Sequence, residues 1–447
     1  MNDGSRAGPA PSLPEPVQRR EVLAWAFYDF ANSGYTTVVL TTVYSAYFVA
    51  VVASGAATLA PGGATLLWTI AVAVANFCVL LSAPVVGAIA DRRASKKVFL
   101  LCTTVGCVLA TALLGLAGPG DVALAMGLLI VSAIAFASGE NLIAAFLPEI
   151  APSDRMGRVS GYGWGLGYFG GVLTLGCCLA YIAWATGRGQ QAVDYVPVTL
   201  LITAGIFALA ATPTLLWLRE RAVPRALPRG FSYLGVGFRQ VARTLVHAAH
   251  YRDLFRFLLC LTAFQSGVAT VVVIAAIYAQ EVMGFSSQQL ILLIMVVNVT
   301  AAVGAFLFGF AQDHYGSVPS LAVAILVWAG AISVTYFADQ PRDLWLAGNL
   351  MGLAMGATQA GGRALIGRLT PVARSGEFFG LWGLASRTAA ILGPLSYGVV
   401  NRITGGDHRM ALLSTLAFFL LGLILLAMVD EDRGSRARDV HPGGEGE

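Results

Sequence analysis

Charge is scarce in this sequence of 447 residues. Only 12% of the residues are Asp, Glu, Lys or Arg, 57% are apolar, and the mean hydropathy is +0.73. A soluble globular protein carries about 25% charged residues. The composition therefore excludes a soluble globular protein. Several runs almost free of charge reach about 18 residues, enough to cross a bilayer core about 30 Å thick. The sequence therefore predicts an all-α polytopic membrane protein.

Cysteine is also sparse, and motifs of catalysis are missing. The six cysteines lie in apolar segments and form neither a C-x-x-C pair nor a Cys/His cluster, which excludes a recognisable disulfide framework or metal site. The sequence has no P-loop and no H-E-x-x-H motif, and its G-x-G-x-x-G string from Gly165 to Gly170 falls inside an apolar helix. We expect no cofactor, no enzymatic activity and no nucleic-acid partner.

Apolar runs predict twelve transmembrane helices in two halves, with ends uncertain by about three residues. The predicted domains are a disordered cytoplasmic tail (1–21) without a removable signal peptide, a six-helix half (22–218), a cytoplasmic amphipathic linker (219–253), a second six-helix half (254–429) and a disordered cytoplasmic tail (430–447). The predicted spans are 22–53, 65–89, 98–117, 122–147, 161–185, 197–218, 254–280, 288–311, 318–337, 344–366, 377–400 and 410–429.

Basic residues orient these helices. With both termini in the cytoplasm, the inner segments hold 22 of the 28 Arg and Lys residues and the outer loops hold only Arg188, Arg342, Arg402 and Arg409. Cytoplasmic loops are the ones enriched in Lys and Arg. We therefore expect a multi-pass protein of the cytoplasmic membrane with both termini inside.

The linker has an amphipathic centre. Five apolar residues follow the 3,4,3,4 spacing of one helix face, and four basic residues gather on another. This pattern predicts a helix on the cytoplasmic leaflet, with its basic face toward anionic headgroups. The apolar set is Phe231, Leu234, Phe238, Val241 and Leu245, and the basic set is Arg239, Arg243, His247 and His250.

An internal repeat links the two halves. Gly87-x-x-x-Asp91-Arg92-Arg93 follows the second span and Gly309-x-x-x-Asp313 follows the eighth, 222 residues later. Two parallel six-helix halves with this motif resemble the major facilitator superfamily. The resemblance implies a gating latch between the halves at the cytoplasmic face. Because no arginine follows Asp313, we expect the latch of the second repeat to be weaker.

Three further blocks narrow the resemblance. They are the segment from Trp25 to Ser33 (W-A-F-Y-D-F-A-N-S), the segment from Gly157 to Tyr168, and the segment from Glu377 to Pro394. These blocks are similar to the family once called the unknown major facilitators, which includes fungal vacuolar amino-acid efflux permeases. Where that family commonly has Asn-Asp-Gly in the seventh helix, this chain has Gln265-Ser266-Gly267. A coupling role that the family assigns to this carboxylate is therefore not implied for this chain.

Charged residues within spans are costly and indicate function. Asp29, Glu140, Arg363 and Arg387 stand well inside their helices. Arg387 lies about 15 Å along its helix from Glu377, near the midplane, so it needs Asp29, Glu140 or an anionic ligand as its partner. The candidate substrate-binding or coupling residues are Tyr28, Asp29, Asn32, Glu140, Asn141, Gln265, Gln359, Arg363 and Arg387, and the candidate gating residues are Gly87, Asp91, Arg92, Arg93, Gly309 and Asp313.

These features favour a secondary transporter for a small polar or anionic solute, with amino acids as one candidate and protons as the candidate coupling ion. A functional monomer in the lipid bilayer with rocker-switch alternating access is expected. One alternative is a multidrug or cation exporter of the same fold, and another is a non-transporting membrane sensor or scaffold. Arg363 and Arg387, as cations within the spans, oppose an exporter of cations. The lack of a large extramembrane domain opposes a sensor or scaffold.

The orientation predicts which introduced cysteines are labelled in intact cells. A cysteine at Gly62 or Gln340 reacts with a membrane-impermeant maleimide from outside, whereas one at Arg225 is protected until the membrane is permeabilised. The unmodified chain, whose cysteines all lie in apolar segments, gives the background. Labelling at Arg225 in intact cells would reverse the predicted topology.

Overall fold

A computed structural model describes residues 16–53, 63–224, 232–246, 250–285 and 287–439, and these residues fold into helices and short turns. Ten helices in this part of the chain are long and apolar enough to cross a membrane. Two more, Pro341–Leu369 and Ser375–Ile403, have 29 residues each and complete the second half. The prediction of an all-α membrane protein with twelve transmembrane helices is confirmed.

The spans are numbered in chain order, six in each half. Those of the first half are Arg19–Val52, Gly63–Arg93, Lys96–Leu116, Val122–Ile150, Ser153–Thr186 and Ala192–Trp217. Those of the second half are Arg252–Ile277, Ser287–Tyr315, Ser317–Tyr336, Pro341–Leu369, Ser375–Ile403 and His408–Leu426. The end of the bundle from which residues 218–251 connect the halves is called the linker side.

Each half has its own apolar core. One cluster of buried side chains includes Trp25, Tyr35 and Phe136, and the other includes Phe264, Trp328 and Phe419. The halves meet where the fifth span packs on the eighth and the second packs on the eleventh. This arrangement places the two copies of the Gly-x-x-x-Asp motif at equivalent contacts between the halves.

Small residues allow these helices to approach closely. A Cβ added at Gly87 would lie 1.9 Å from the carbonyl oxygen of Gly376, and one at Gly309 would lie 2.8 Å from that of Gly157. Helices in membranes often associate through such small residues, because backbones can then touch directly. The glycines of the repeat therefore allow the close helix contact at which the aspartates reach the opposite half.

Among the described residues, two α-helices lie outside the spans, one in the linker and one in the carboxy-terminal tail. The linker helix, Tyr233–Val246, packs on the second span, where its Gly237 faces Val85 and Ile89. Phe231 and His247, which the sequence analysis placed in this helix, lie outside the described residues. The tail helix, Glu431–Asp439, corrects the prediction of disorder from residue 430.

The tail helix is ordered because its charges find partners on the second half. Arg433 donates to Asp253 at the start of the seventh span, and Glu431 accepts from the backbone and hydroxyl of Ser317. Glu431 also lies 2.7 Å from Arg368. The polar sequence of the tail indicated disorder only because these partners are distant along the chain.

The close packing of Gly356 predicts a large effect from one methyl group. A Cβ at Gly356 would lie 1.8 Å from the carbonyl oxygen of Ala301, whereas one at Gly330 meets nothing within 4 Å. We expect Gly356→Ala to lower the thermal stability of the purified protein by about 1–3 kcal/mol, as overpacking does. Gly330→Ala, which adds the same methyl group to another helix, is the control and leaves stability equal or higher. Equal melting temperatures would contradict the packing described here.

Candidate solute pathway and gate

A buried ion pair joins the two halves at the first and tenth spans. An Nη of Arg363 lies 2.7 Å from Oδ2 of Asp29, and the side chains are 3% and 10% exposed. Arg363 also donates from Nε to the Ser160 hydroxyl and from Nη to the Ser160 carbonyl. Removing one partner of a buried pair typically costs about 3–5 kcal/mol because the other charge is left buried and unpaired, so each of these two groups requires the other while the halves are in contact.

Aromatic rings enclose the same guanidinium. Its central carbon lies 4.6 Å from the ring centroid of Trp25 and 5.4 Å from that of Trp164. Gly163 leaves the necessary space, because a Cβ there would lie 2.2 Å from the Asp29 carboxylate and 2.5 Å from the guanidinium. Arg363 is therefore part of a sealed contact, and in this conformation it is no open anion site.

A second ion pair joins the halves at the fourth and eleventh spans. An Nη of Arg387 lies 2.8 Å from Oε2 of Glu140, and the side chains are 19% and 29% exposed. The sequence analysis left the partner of Arg387 open among Asp29, Glu140 and a ligand, and the structure selects Glu140. Both charged side chains keep part of their surface exposed, unlike those of the Asp29–Arg363 pair.

The other predicted binding residues occupy different places. Gln265 of the seventh span donates to Gln359 of the tenth over 2.9 Å, which forms a polar pair within the second half. Asn32 is buried on the first span, and neither its Oδ1 nor the side-chain amide of Asn141 has a hydrogen-bond partner among the described residues. A Cβ at Gly383 would lie 2.4 Å from Oδ1 of Asn141, so Asn141 faces the eleventh span.

Tyr28 does not line the space between the halves. Its side chain is 1% exposed, its hydroxyl is 2.8 Å from that of Thr104, and its ring packs edge-on against Phe207. The prediction that Tyr28 contacts solute is wrong for this conformation. The sequence could not show this because Tyr28 and Asp29 are adjacent but point to different sides of their helix.

The first repeat forms a latch between the halves. The two carboxylate oxygens of Asp91 accept from the backbone amides of Gly376 and Glu377, each at 2.9 Å, at the start of the eleventh span. Lys96 lies 3.4 Å from Asp91, contacts Glu149, and donates to the Ser375 hydroxyl. A carboxylate at a helix N-terminus is favoured by the free amides and the helix dipole.

The second repeat forms the same latch at the fifth span. Asp313 accepts from the backbone amides of Gly157 and Arg158 at 2.8 and 3.0 Å. The guanidinium groups of Arg158 and Arg368 also contact its carboxylate at 2.9 and 2.8 Å. The expectation of a weaker second latch rests on the missing arginine after Asp313, but Arg158 and Arg368, which are distant in sequence, supply guanidinium groups to this carboxylate.

The basic residues of the first motif and of the turn after it lie in different places. Arg93 lies over the ring of Tyr233 with 5.0 Å to its centroid, so it contacts the linker helix. Arg92 is half-buried in the last turn of the second span. Lys96, which follows the motif, lies 3.4 Å from Asp91.

Sequence reasoning missed several residues of the gate. The sequence analysis assigns no individual role to Ser160, Arg158 or Glu377, which lie in the family-like blocks, nor to Lys96, Glu149 or Arg368. The feature that these residues share in the sequence is a charged or hydroxyl side chain at the linker-side end of a span. Near this cluster the carboxyl of Glu220 accepts from the backbone amides of Lys96 and Lys97, and burial raises its pKa.

These contacts close one end of the pathway. The contacts of Asp91, Asp313 and Arg363 with the opposite half all lie in the linker-side halves of their spans. Glu140 and Arg387, farther along, are still partly exposed. Within the part of the chain described, these contacts hold the two halves together on the linker side.

Comparisons with known proteins identify the family. The profile described as "Vacuole effluxer Atg22 like" matches residues 17–439. The chain belongs to this Atg22-like family. It is 28% identical over 417 residues to the MFS-type transporter YxiO of Bacillus subtilis (strain 168), covering 92% of this chain and 94% of YxiO. It is 25% identical over 300 residues to Autophagy-related protein 22-1 of Aspergillus niger, covering 62% of this chain and 48% of that protein.

Solved structures show the same fold for this Atg22-like chain. The human organic anion transporter MFSD10 superimposes with a TM-score of 0.69 at 16% identity, covering 91% of this chain and 99% of that chain. FucP in its outward conformation superimposes with a TM-score of 0.68 at 15% identity, covering 92% and 98%. The chain is a multi-pass secondary transporter of the major facilitator superfamily, and the resemblance seen in its sequence is confirmed.

The two latches predict effects of similar size. We expect Asp91→Asn and Asp313→Asn each to raise the ratio of linker-side-open to closed protein by about tenfold, because each removes charge-assisted hydrogen bonds. Spin labels at Asp154→Cys and Val372→Cys, exposed sites on opposite halves, report the distance across the gate. The lipid-exposed Cys78, Cys102 and Cys177 are replaced by alanine.

Asp121→Asn is the matched control for these variants. Asp121 accepts only a local bond from Gly118 on the side opposite the linker, so the distance distribution should match that of the unmodified reporter. A response confined to Asp91→Asn would restore the asymmetry expected from the sequence. No response at either aspartate would mean that these bonds do not hold the gate.

Proposed function

We propose that this transporter moves a small polar or anionic solute across the cytoplasmic membrane by rocking one half against the other. The linker side is assigned to the cytoplasm, because 22 of the 28 basic residues lie in segments at that end. The described conformation is then outward-facing, with its cytoplasmic gate closed. Since one chain supplies both halves and the pathway between them, a monomer suffices for transport.

The observation that carries the proposal is the Glu140–Arg387 pair. It joins opposite halves at mid-depth, is partly exposed, and leaves Nε of Arg387 without a hydrogen-bond partner among the described residues. A guanidinium stays protonated at any accessible pH and binds carboxylates through two parallel hydrogen bonds. A solute carboxylate therefore has a permanent cationic partner here.

The pairing of opposite charges narrows the solute class. A zwitterion such as an α-amino acid can place its carboxylate on Arg387 and its ammonium on Glu140, which replaces one ion pair by two. A simple organic anion would use Arg387 and leave Glu140 unpaired, at the cost of burying an uncompensated charge. Amino acids are accordingly the preferred candidates within the polar and anionic class. The alternative of a cation exporter fits less well, because the Trp25 and Trp164 rings already enclose Arg363.

A coupling proton has two candidate carriers. Glu140 is reachable from the pathway, whereas Asp29 lies under it in the sealed contact with Arg363. Protonation of either carboxyl would weaken an inter-half ion pair and so link proton binding to the position of the halves. We assign proton coupling to these two residues, and Gln265 lies where the seventh helix of the family commonly has its Asn-Asp-Gly block.

Uptake by reconstituted protein tests the proposal. Proteoliposomes are supplied with amino acids, organic anions or organic cations, each with and without a pH gradient. We expect uptake of an amino acid or organic anion above that of empty liposomes, and accelerated uptake with the gradient if a proton is coupled. Uptake restricted to cations would support the exporter, and no uptake of any class would favour a sensor or scaffold.

The Arg387 site makes a sharper prediction for a solute that is taken up. Arg387→Lys keeps the charge but loses the bidentate geometry, so solute affinity should fall by about tenfold while the protein stays folded. Arg387→Ala should abolish uptake and destabilise the protein, because it leaves Glu140 unpaired. Arg402→Lys at the opposite, exposed end of the same helix is the conservative control.

A double-mutant cycle separates ligand binding from structure. If Glu140 and Arg387 stabilise each other, Arg387→Ala with Glu140→Gln should recover much of the melting temperature lost by Arg387→Ala alone. Solute should raise the melting temperature of the unmodified protein and not that of the double variant. Additive losses, together with normal uptake by Arg387→Ala, would show that Arg387 is neither a ligand nor a partner.

A further inference from the structure

We infer that the linker helix, Tyr233–Val246, is a third component of the cytoplasmic gate and must leave Glu377 when the gate opens. The inference rests on the rocking motion proposed above. Glu377, like its neighbour Gly376, donates its backbone amide to the Asp91 carboxylate. The carboxylate of Glu377 is 0% exposed and takes no part in that latch.

Residues of the linker helix satisfy this buried carboxylate. Gln240 donates from its side-chain amide to Oε2 of Glu377 over 2.7 Å, and the Thr244 hydroxyl donates to Oε1. Arg374 contacts both Glu377 and the Thr244 hydroxyl. Because a buried carboxylate needs donors for its remaining lone pairs, Gln240 and Thr244 add to the contacts that Arg374 already makes with Glu377, and they stabilise the closed gate while the linker helix stays in place.

The linker helix also contacts the first half of the chain, through the second span. Gly237 of the linker helix is buried against the second span, where an added Cβ would lie 3.1 Å from Ile89 and 3.2 Å from Val85. Arg93, at the end of the same span, lies over the ring of Tyr233. The helix therefore packs on the first half and bonds to the second, across the junction that Asp91 closes.

The direction of its polar residues excludes a passive surface helix. A helix held only by lipid would turn its polar residues to water, yet Thr244 is 1% exposed and faces the gate. Rocking the second and eleventh spans apart separates Gly237 from its contact or Gln240 and Thr244 from Glu377. The helix thus adds its bonds to the closed state alone, which is what a gating element requires.

Two independent variants test this inference with the spin-label pair at Asp154 and Val372. Thr244→Val removes the hydroxyl with little change of shape, and Gly237→Leu pushes the helix from the second span without touching a side-chain hydrogen bond. Since one hydrogen bond changes an equilibrium by about two- to tenfold, we expect each variant to raise the open-to-closed ratio by about three- to tenfold. Thr404→Val, which removes a hydroxyl bonded to its own helix at the other end of the bundle, should match the unmodified reporter.

The outcomes separate this inference from the proposed function. Gel filtration and melting temperature confirm that the variants are folded, and if one fails to fold the other decides. If the distances of both variants stay unchanged while those of Asp91→Asn broaden, the linker helix is no part of the gate and the rocking motion stands. If the combined Asp91→Asn and Asp313→Asn protein shows a single distance as well, and the proteoliposomes take up no solute, the rocking motion itself is wrong, and the inference falls with it.

Discussion

The closed conformation depends on buried carboxylates that take their donors from the other half of the chain. Asp91 and Asp313 each receive two backbone amides from a helix that starts across the interface. Asp29 does the same with the guanidinium of Arg363. In a low-dielectric interior such groups cannot stay unpaired, so the halves have one favourable way to meet on the linker side. Separation of the halves has to expose these groups to water or supply other partners.

The two latches are equivalent in geometry but differ in what surrounds them. At the Asp91 latch, the added contacts come from Lys96 and from the linker helix through Glu377. At the Asp313 latch, they come from Arg158 and from Arg368, which also contacts Glu431 of the tail helix. Both segments outside the spans therefore end on a latch. The described parts of the connections between and after the halves therefore lie beside the inter-half contacts.

The two inter-half ion pairs differ in access to solvent, and this difference suggests separate roles. Arg363 is enclosed by tryptophan rings and Asp29, so it belongs to the seal. Arg387 and Glu140 remain partly exposed above that seal, at the depth where a solute bound between the halves would lie. A solute that bridges them would contact both halves at once. Such contact is what allows binding energy to shift the equilibrium between two arrangements of the halves.

The sequence by itself determined the helical class, the two halves, the repeat and the family, because hydropathy, motif spacing and charge scarcity are properties of local segments. It also identified Asp29, Glu140, Arg363 and Arg387, since charges within spans are rare enough to single out. It could not pair them, turn Tyr28 away from the pathway, or assign Arg368 to Asp313. Only the tertiary structure decided these contacts, because they depend on helix rotation and on partners 55 to 334 residues apart, such as Arg368 with Asp313 and Arg363 with Asp29. Sequence spacing carries no information about which faces meet across an interface of helices.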